Sequence, residues 1–389
     1  MEKHINNEYD IAVCGGGFAG ISAALAAARI GKRVILFEKE YLLGGLGTAG
    51  LVTIYLPICD GYGHQVSFGI AEELLRLSIK YGAEARYPEN WLDGIGSRTE
   101  NDKRFLVQYN AQLFAILAEQ LLLSEGVDIM YGSYVIDTHV SEGRIESLTV
   151  VNKSGNTEYF VGGVVDATGD CDIAKFAGAP TDPFELGNVI AAWYYYADSK
   201  GYFLKMQGAD VMKIEDKNAP ATSRRFTGLD GKEISEMVTL SHSKVLDDFL
   251  SKREKDENTC IATIASIPQI RMTRKLVGKY TLGYNETHKY FDDSIGMIGN
   301  WRLRGPVYEV PFGTLFCNEV KNLAVAGRCV STDQQLWDIM RVIPCCAVTG
   351  QAAGTALALS DDLTSLNVTL LQKKLVENGV VLHENELTK

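Results

Sequence analysis

The chain has 389 residues, 46% hydrophobic and 22% charged, with a formal net charge of -11. That length accommodates roughly two cooperating domains around a substantial core, and the acidic balance argues against a nucleic-acid binder, whose phosphate contacts need a clustered basic surface. Apolar runs are interrupted well before bilayer-spanning length and no charged-then-apolar leader precedes Tyr9, so a cytoplasmic protein without a membrane span is expected.

Taken in chain order, residues 9–14 form a short apolar run suited to a buried parallel strand, 21–30 an alanine-rich helix, and 33–37 a second apolar run. This is the start of a β-α-β unit. Between its first two elements lies DIAVCGGGFAG (10–20), in which Gly15, Gly17 and Gly20 stand as G-x-G-x-x-G, followed by Ala24, Ala28 and Gly31. Gly15 allows the tight turn, Gly17 lets a pyrophosphate approach the backbone, and Gly20 lets the helix pack closely on the sheet. Glu38, just past the second strand and followed by Lys39, is placed to accept hydrogen bonds from a ribose diol. The unit therefore reads as a dinucleotide site, and NAD and FAD share this fingerprint.

Further along, 110–124 has helical apolar spacing closed by Gly126. Residues 127–130 and 132–140 read as strands, Gly143 marks a hairpin, and 148–151 and 159–165 continue it. From 181 to 306 the composition changes, with aromatics at Trp193, Tyr194, Tyr195 and Tyr196 and then charged stretches at 213–217 and 252–257. This reads as an inserted domain. Residues 322–326 return to buried-strand composition, and a helix follows from about 344 to 359. The expected organisation is a discontinuous dinucleotide domain, 1–178 and 307–389, with an inserted α+β cap at 179–306. Eight cysteines without a C-x-x-C pair, and six scattered histidines, argue against a metal site or dithiol centre, and adjacent Cys345 and Cys346 are expected to serve packing.

Four stretches decide between dinucleotides by resemblance: GGLGT (44–48), VVDATGDCDIA (164–174), NLAVAGRCVS (322–331) and IMRVIPCCAVTGQAAGTA (339–356). With IRMTRKLVGKY (270–280) and YEVPFGTL (308–315), they resemble the FAD-dependent oxidoreductase family with a glutathione-reductase-type FAD domain, distantly akin to fumarate reductase flavoproteins. The resemblance covers nearly the whole chain, least informatively at 188–266. It implies an α/β fold: a Rossmann-like FAD domain with a parallel sheet, helices and a β-meander, carrying non-covalent FAD. By the same resemblance, Val135 lies in the strand whose backbone contacts adenine. Ala167, Thr168, Gly169 and Asp170 pass the AMP half, Gly327 and Arg328 meet pyrophosphate and ribityl, and Gly44, Gly45 and Thr48 run under the ribityl and ring. Cys171, where the family usually has a small residue, bears on access to the cofactor.

The helix starting near Val342, Ile343 and Pro344 would aim its positive dipole end at the flavin's pyrimidine edge, with Arg341 adding charge. The plain alternatives are a surface ion pair for Arg328 and a merely structural Ala/Gly helix with Arg341 at a domain boundary. Arg271, Arg274, Arg302 and Arg304 are natural partners of a carboxylate substrate. Arg341 and Arg271 are thus the candidate catalytic residues, with His64, His242 and His288 as acid/base groups without a motif. The expected activity is hydride transfer between a small organic substrate and FAD, with an unidentified electron acceptor. Alternatives are reduction of an activated double bond, or a dinucleotide bound without turnover.

Overall fold

The computed structural model describes residues 7–84, 106–208, 210–212 and 224–387; the charged stretch at 213–217 lies outside them. Its strands are β1 (Glu8–Cys14), β2 (Val34–Phe37), β3 (Ile54–Tyr55), β4 (Val107–Gln108), β5 (Asp128–Met130), β6 (Tyr134–Ser141), β7 (Arg144–Asn152), β8 (Gly155–Asp166), β9 (Thr181–Pro183), β10 (Tyr194–Asp198), β11 (Gly201–Lys205), β12 (Cys260–Ile264), β13 (Arg274–Leu276), β14 (Ser294–Gly299), β15 (Val307–Pro311) and β16 (Leu323–Val325). The helices are α1 (Phe18–Ala28), α2 (Ile70–Ser78), α3 (Ala111–Ser124), α4 (Asp172–Phe176), α5 (Gly231–Arg253), α6 (Trp337–Met340), α7 (Ile343–Leu359) and α8 (Val368–Glu377).

The main sheet runs β5-β2-β1-β8-β7-β6, with β16 also paired to β8. Strands β5, β2, β1, β8 and β16 are parallel, and β6-β7-β8 is an antiparallel meander. Strand β8 belongs to both. Residues 155–160 pair with β7, exposed and buried positions alternate from 158 to 162, and the strand then runs on beside β1 and ends in four buried residues. A strand covered on one face alternates, and one covered on both does not. The β6-β7 turn is made by Glu142 and Gly143, both at positive φ, the backbone that tight hairpins prefer.

Helix α1 is buried along almost its whole length, and α7 lies against it. A Cβ added to Gly350 would stand 2.2 Å from the Ala19 carbonyl oxygen, and one on Gly354 2.1 Å from that of Ala23. Only glycine permits this separation. At the α1 N-terminus, Phe18 stacks on Phe114 at 4.5 Å and meets Tyr55 and Tyr109 edge-on.

Within 179–306, β11-β10-β12 form a separate antiparallel sheet. Its consecutive tyrosines straddle two faces: Tyr195 stacks on Tyr202, while Tyr194 and Tyr196 lie 5.9 Å apart. Small apolar clusters, such as Ile190, Phe226, Met237 and Ile270, support this region. Leu276, Leu282, Ile295 and Ile298 instead join the main core, and β14 pairs with β15 across residue 306.

Candidate FAD site

Residues singled out from distant parts of the sequence converge on the N-terminus of α1. Gly15, at φ +107, lies so close to the 167–168 backbone that a Cβ would stand 2.4 Å from the Ala167 carbonyl oxygen. Gly20 lies under the Gly15 carbonyl, where a Cβ would come within 1.8 Å. Gly17 is different: a Cβ there meets nothing within 4 Å, and its φ of -71° is open to any residue. The surrounding protein gives no reason for glycine at 17, whereas a phosphate group approaching the backbone does. The helix it caps has no side-chain cap and no acidic residue in its first turn, so its dipole end is left for an anion. A dinucleotide therefore fits this cradle.

Glu38 is 5% exposed and accepts hydrogen bonds from the backbone N–H of Gly16 at 2.6 Å and of Glu40 at 2.8 Å. Burial pushes its carboxyl above the ordinary range, the two backbone donors only partly offsetting this. Lys39 beside it is exposed. Ser133 donates its N–H to the Glu38 carbonyl at 3.0 Å, which brings the start of β6, and with it Val135, to the same edge.

The 44–48 loop is fastened to the cradle by a backbone bridge between Gly17 and Gly44 and by Gly44 N–H to the Gly16 carbonyl at 2.8 Å. Gly44 and Gly45 both have positive φ. Thr48 is buried, and its hydroxyl donates to the Leu43 carbonyl, so its role is to hold the loop. Tyr109 donates to the Gly47 carbonyl at 2.6 Å from behind.

Asp166, at the end of β8, accepts from the backbone and hydroxyl of Thr168 and from Ala174 N–H. Gly169, at φ +80, lies beneath the Arg328 guanidinium, with 2.3 Å between a built Cβ and Nη2. Arg328 is not free: it pairs with Asp170 at 3.3 Å and donates to the Ile270 carbonyl at 2.7 Å. It therefore ties 167–170, Gly327 and the 268–272 strap together. Gly327, at φ +73, lies against Ala19. Cys171 adopts φ +57, a backbone that glycine takes without strain, and is fully buried, its N–H donating to Cys329 Sγ at 3.1 Å. Burial pushes its thiol well above the ordinary range.

Helix α7 begins as expected, with Val342 as N-cap, Pro344 in the first turn and no acidic residue there. Cys345 is buried, Cys346 partly so, and both thiols are free. Arg341, immediately before the cap, is held by Asp338. Asp338 is 1% exposed and also pairs with Arg302 at 2.5 Å, and Arg302 reaches Asp210 at 2.6 Å. Arg341 thus shares its charge with a carboxylate that was not singled out from sequence, although its i,i+3 spacing to Arg341 across a helical turn was a signal. Arg274 is likewise committed, to Asp172 at 2.7 Å.

Arg271 is the contrast. It is partly buried, it lies over the Trp193 ring at 5.6 Å, and its guanidinium has no carboxylate partner among the described residues. Desolvation and the charge of Arg341 bring its guanidinium down to about 10, against the opposing pull of Asp338 and Asp210. Its backbone is fixed by Asn188, whose side-chain oxygen accepts from the N–H of Arg271 and Met272. His64 and His288 lie at the surface, paired with Asp60 and Glu384, and His242 is exposed on α5.

The fold and cradle define a dinucleotide-binding α/β protein. More particularly, the chain matches the family described as FAD dependent oxidoreductase over residues 10–227 and 191–375, and it belongs to that family. It is an enzyme of the oxidoreductase class, and FAD is its cofactor. It is similar to NADH:acrylate oxidoreductase of Vibrio harveyi, 30% identical over 167 residues (39% of this chain, 16% of that protein). It is also similar to thioredoxin reductase of Ureaplasma parvum serovar 3, 34% identical over 77 residues (20% of this chain, 25% of that protein). The chain thus matches a quarter or less of the length of these curated relatives. Among solved structures it is similar to a geranylgeranyl bacteriochlorophyll reductase-like protein from Thermoplasma acidophilum (14% identity, 95% of this chain and 82% of that chain, TM-score 0.48). A flavocytochrome c3 fumarate reductase in its open conformation is similar at 14% identity (90% of this chain, 78% of that chain, TM-score 0.43). Among the described residues no helix is long and apolar enough to cross a membrane.

Proposed function

We propose that the protein transfers a hydride between a small carboxylate-bearing substrate and non-covalently bound FAD. The observation that carries this is Arg271. Three guanidiniums, Arg271, Arg302 and Arg341, face two carboxylates, Asp338 and Asp210, and Arg271 is the one left without a carboxylate among the described residues. A partly desolvated cation without a counter-ion is costly unless a ligand supplies one, and a planar guanidinium suits a carboxylate through two parallel hydrogen bonds.

In this reading Gly15, Gly17 and Gly20 admit the pyrophosphate, and Glu38 accepts from the ribose. Val135 and the 167–170 backbone line the AMP half, Gly327 and Arg328 the ribityl side, and Gly44, Gly45 and Thr48 the ring. The FAD, once bound, supplies two-electron chemistry, so no side chain has to carry the electrons. The N-terminus of α7 at Val342, Ile343 and Pro344, with Arg341 beside it, favours negative charge at the site. Arg271 orients the substrate, and the 179–306 stretch, through its β10–β12 sheet and α5, covers it and excludes water. A second reading, reduction of an unsaturated acid, is favoured by the likeness to a protein named for acrylate.

The test is optical. The purified protein should show a flavin spectrum whose chromophore stays in solution on acid denaturation, and titration with acrylate or benzoate should perturb that spectrum. Arg271→Met should retain the flavin but weaken the anion by roughly 10- to 100-fold, the range of a charged hydrogen bond. Unchanged anion affinity in that variant would remove Arg271 from the substrate site. Re-oxidation of photoreduced flavin by acrylate faster than by oxygen would favour the reductase direction.

A further inference from the structure

Gln269 is 2% exposed, and its side-chain oxygen has no hydrogen-bond partner among the described residues. Its orientation is not arbitrary. The amide nitrogen donates to the Gly50 carbonyl, so exchanging the two amide atoms would set oxygen against oxygen. The turn that carries it is fixed on both sides: Ile270 N–H reaches back to the Pro268 carbonyl at 2.9 Å, and the Ile270 carbonyl accepts from Arg328 at 2.7 Å. Nearby, Ser266 N–H donates to the Ala49 carbonyl at 2.9 Å. The carboxamide is therefore held by the end of the 44–50 loop, and the backbone beside it by Arg328, with one acceptor left over. Buried acceptors are seldom left unpaired, and a pinned one marks a place where a donor arrives.

We infer that Gln269 is a cofactor-contact residue whose side-chain oxygen accepts the ring N3–H of the bound flavin. The inference rests on the proposed placement of the ring against the 44–48 loop and the α7 N-terminus. The pyrimidine edge of a flavin presents a single N–H donor between two carbonyl acceptors. The Gln269 amide nitrogen is turned toward Gly50, and the atom left unpartnered is the oxygen, an acceptor. That pairing also selects against a ring edge with an acceptor at the same position, because two acceptors would face each other away from water.

The experiment titrates the apoprotein with FAD and with 3-methyl-FAD, in which a methyl group replaces that hydrogen, following flavin fluorescence. The wild type should bind the methylated flavin roughly tenfold or more weakly, since the analogue leaves a buried acceptor unpaired. Gln269→Ala, which removes the acceptor and opens room, should bind the two flavins about equally. Equal affinities in the wild type, or the same discrimination in Gln269→Ala, would overturn the inference while leaving FAD binding intact. A protein that takes up neither flavin would instead overturn the placement on which it rests. Should Gln269→Ala fail to fold, Gln269→Met keeps the length and apolar contacts. Exchange of the bound N3–H proton, followed by NMR of labelled flavin, should be at least about tenfold faster there than in the wild type, and equal rates would overturn the assignment.

Discussion

At the scale of single residues, the site is governed by which charges are already neutralised. Asp338 is the pivot. Burial alone would raise its carboxyl, but Arg341 and Arg302 outweigh burial and hold it below the ordinary range. A carboxylate whose folded pKa is depressed contributes stability that is fully present above its unfolded value, about 3.9, and is lost as pH falls through the folded value. Asp338→Asn should therefore destabilise the protein at neutral pH by about 3–5 kcal/mol, because it leaves Arg341 and Arg302 without their shared partner. The deficit should begin to narrow below about pH 4, where the unfolded chain's carboxyl takes up its proton, and should close as pH falls through the lower folded value, where the native wild type loses the charge too. Urea midpoints at neutral and acid pH measure this, and a deficit that stays constant would show that Asp338 acts through packing rather than charge. Arg271 behaves in the opposite sense. With its guanidinium brought down to about 10, it carries its charge through the neutral range, and anion affinity should fall as pH rises past that value.

At the scale of elements, the most constrained junction is the crossing of α1 and α7. Gly350→Ala and Gly354→Ala place a methyl group against backbone carbonyls of α1, which cannot move aside as a side chain would. The gain in helix propensity, about 1 kcal/mol, is set against overpacking of typically 1–3 kcal/mol and more where backbone must shift. Because α1 carries the Gly17 cradle, both variants should lose flavin content as well as melting temperature. Gly231→Ala, at the start of α5 with open space around it, is the control and should leave both unchanged. Sequence showed each helix to be built for close packing, through Ala and Gly at helical spacing, but not that the two helices pack on each other; the β-α-β unit and the meander were legible from periodicity and turn glycines. Asn188 and Gln269 were not. Each owes its role to partners far away in sequence, as when Gln269 meets Gly50 and Asn188 meets Met272, and no local pattern reports such pairs. Asp338 is intermediate: its i,i+3 contact with Arg341 is local, but its pairing with Arg302 is not.

At the scale of the whole molecule, buried apolar packing is distributed unevenly. One large cluster unites β1, β2, β8, α1, α7 and β16 with the 276–298 segment, whereas among the described residues the neighbourhood of β10–β12 and α5 has only small clusters of three or four buried residues each. Along its 23 residues, α5 buries only Met237 and Val245. Local opening is governed by how much apolar contact must be broken, so this region should open well below the energy of global unfolding. The cover proposed for the flavin has reason to be built that way, because substrate must enter and leave while the cofactor stays. Amide hydrogen exchange should accordingly show α5 and β10–β12 exchanging orders of magnitude faster than β1, β8 and α7. FAD should protect the 15–20, 44–48 and 327–328 segments in the first instance, and a bound carboxylate should then slow exchange in α5 and β10–β12. If α5 exchanges as slowly as α7 in the absence of ligand, the cover is a rigid part of the main core. In that case access to the flavin must come through movement elsewhere, and the division of labour proposed between the cradle and the 179–306 stretch falls.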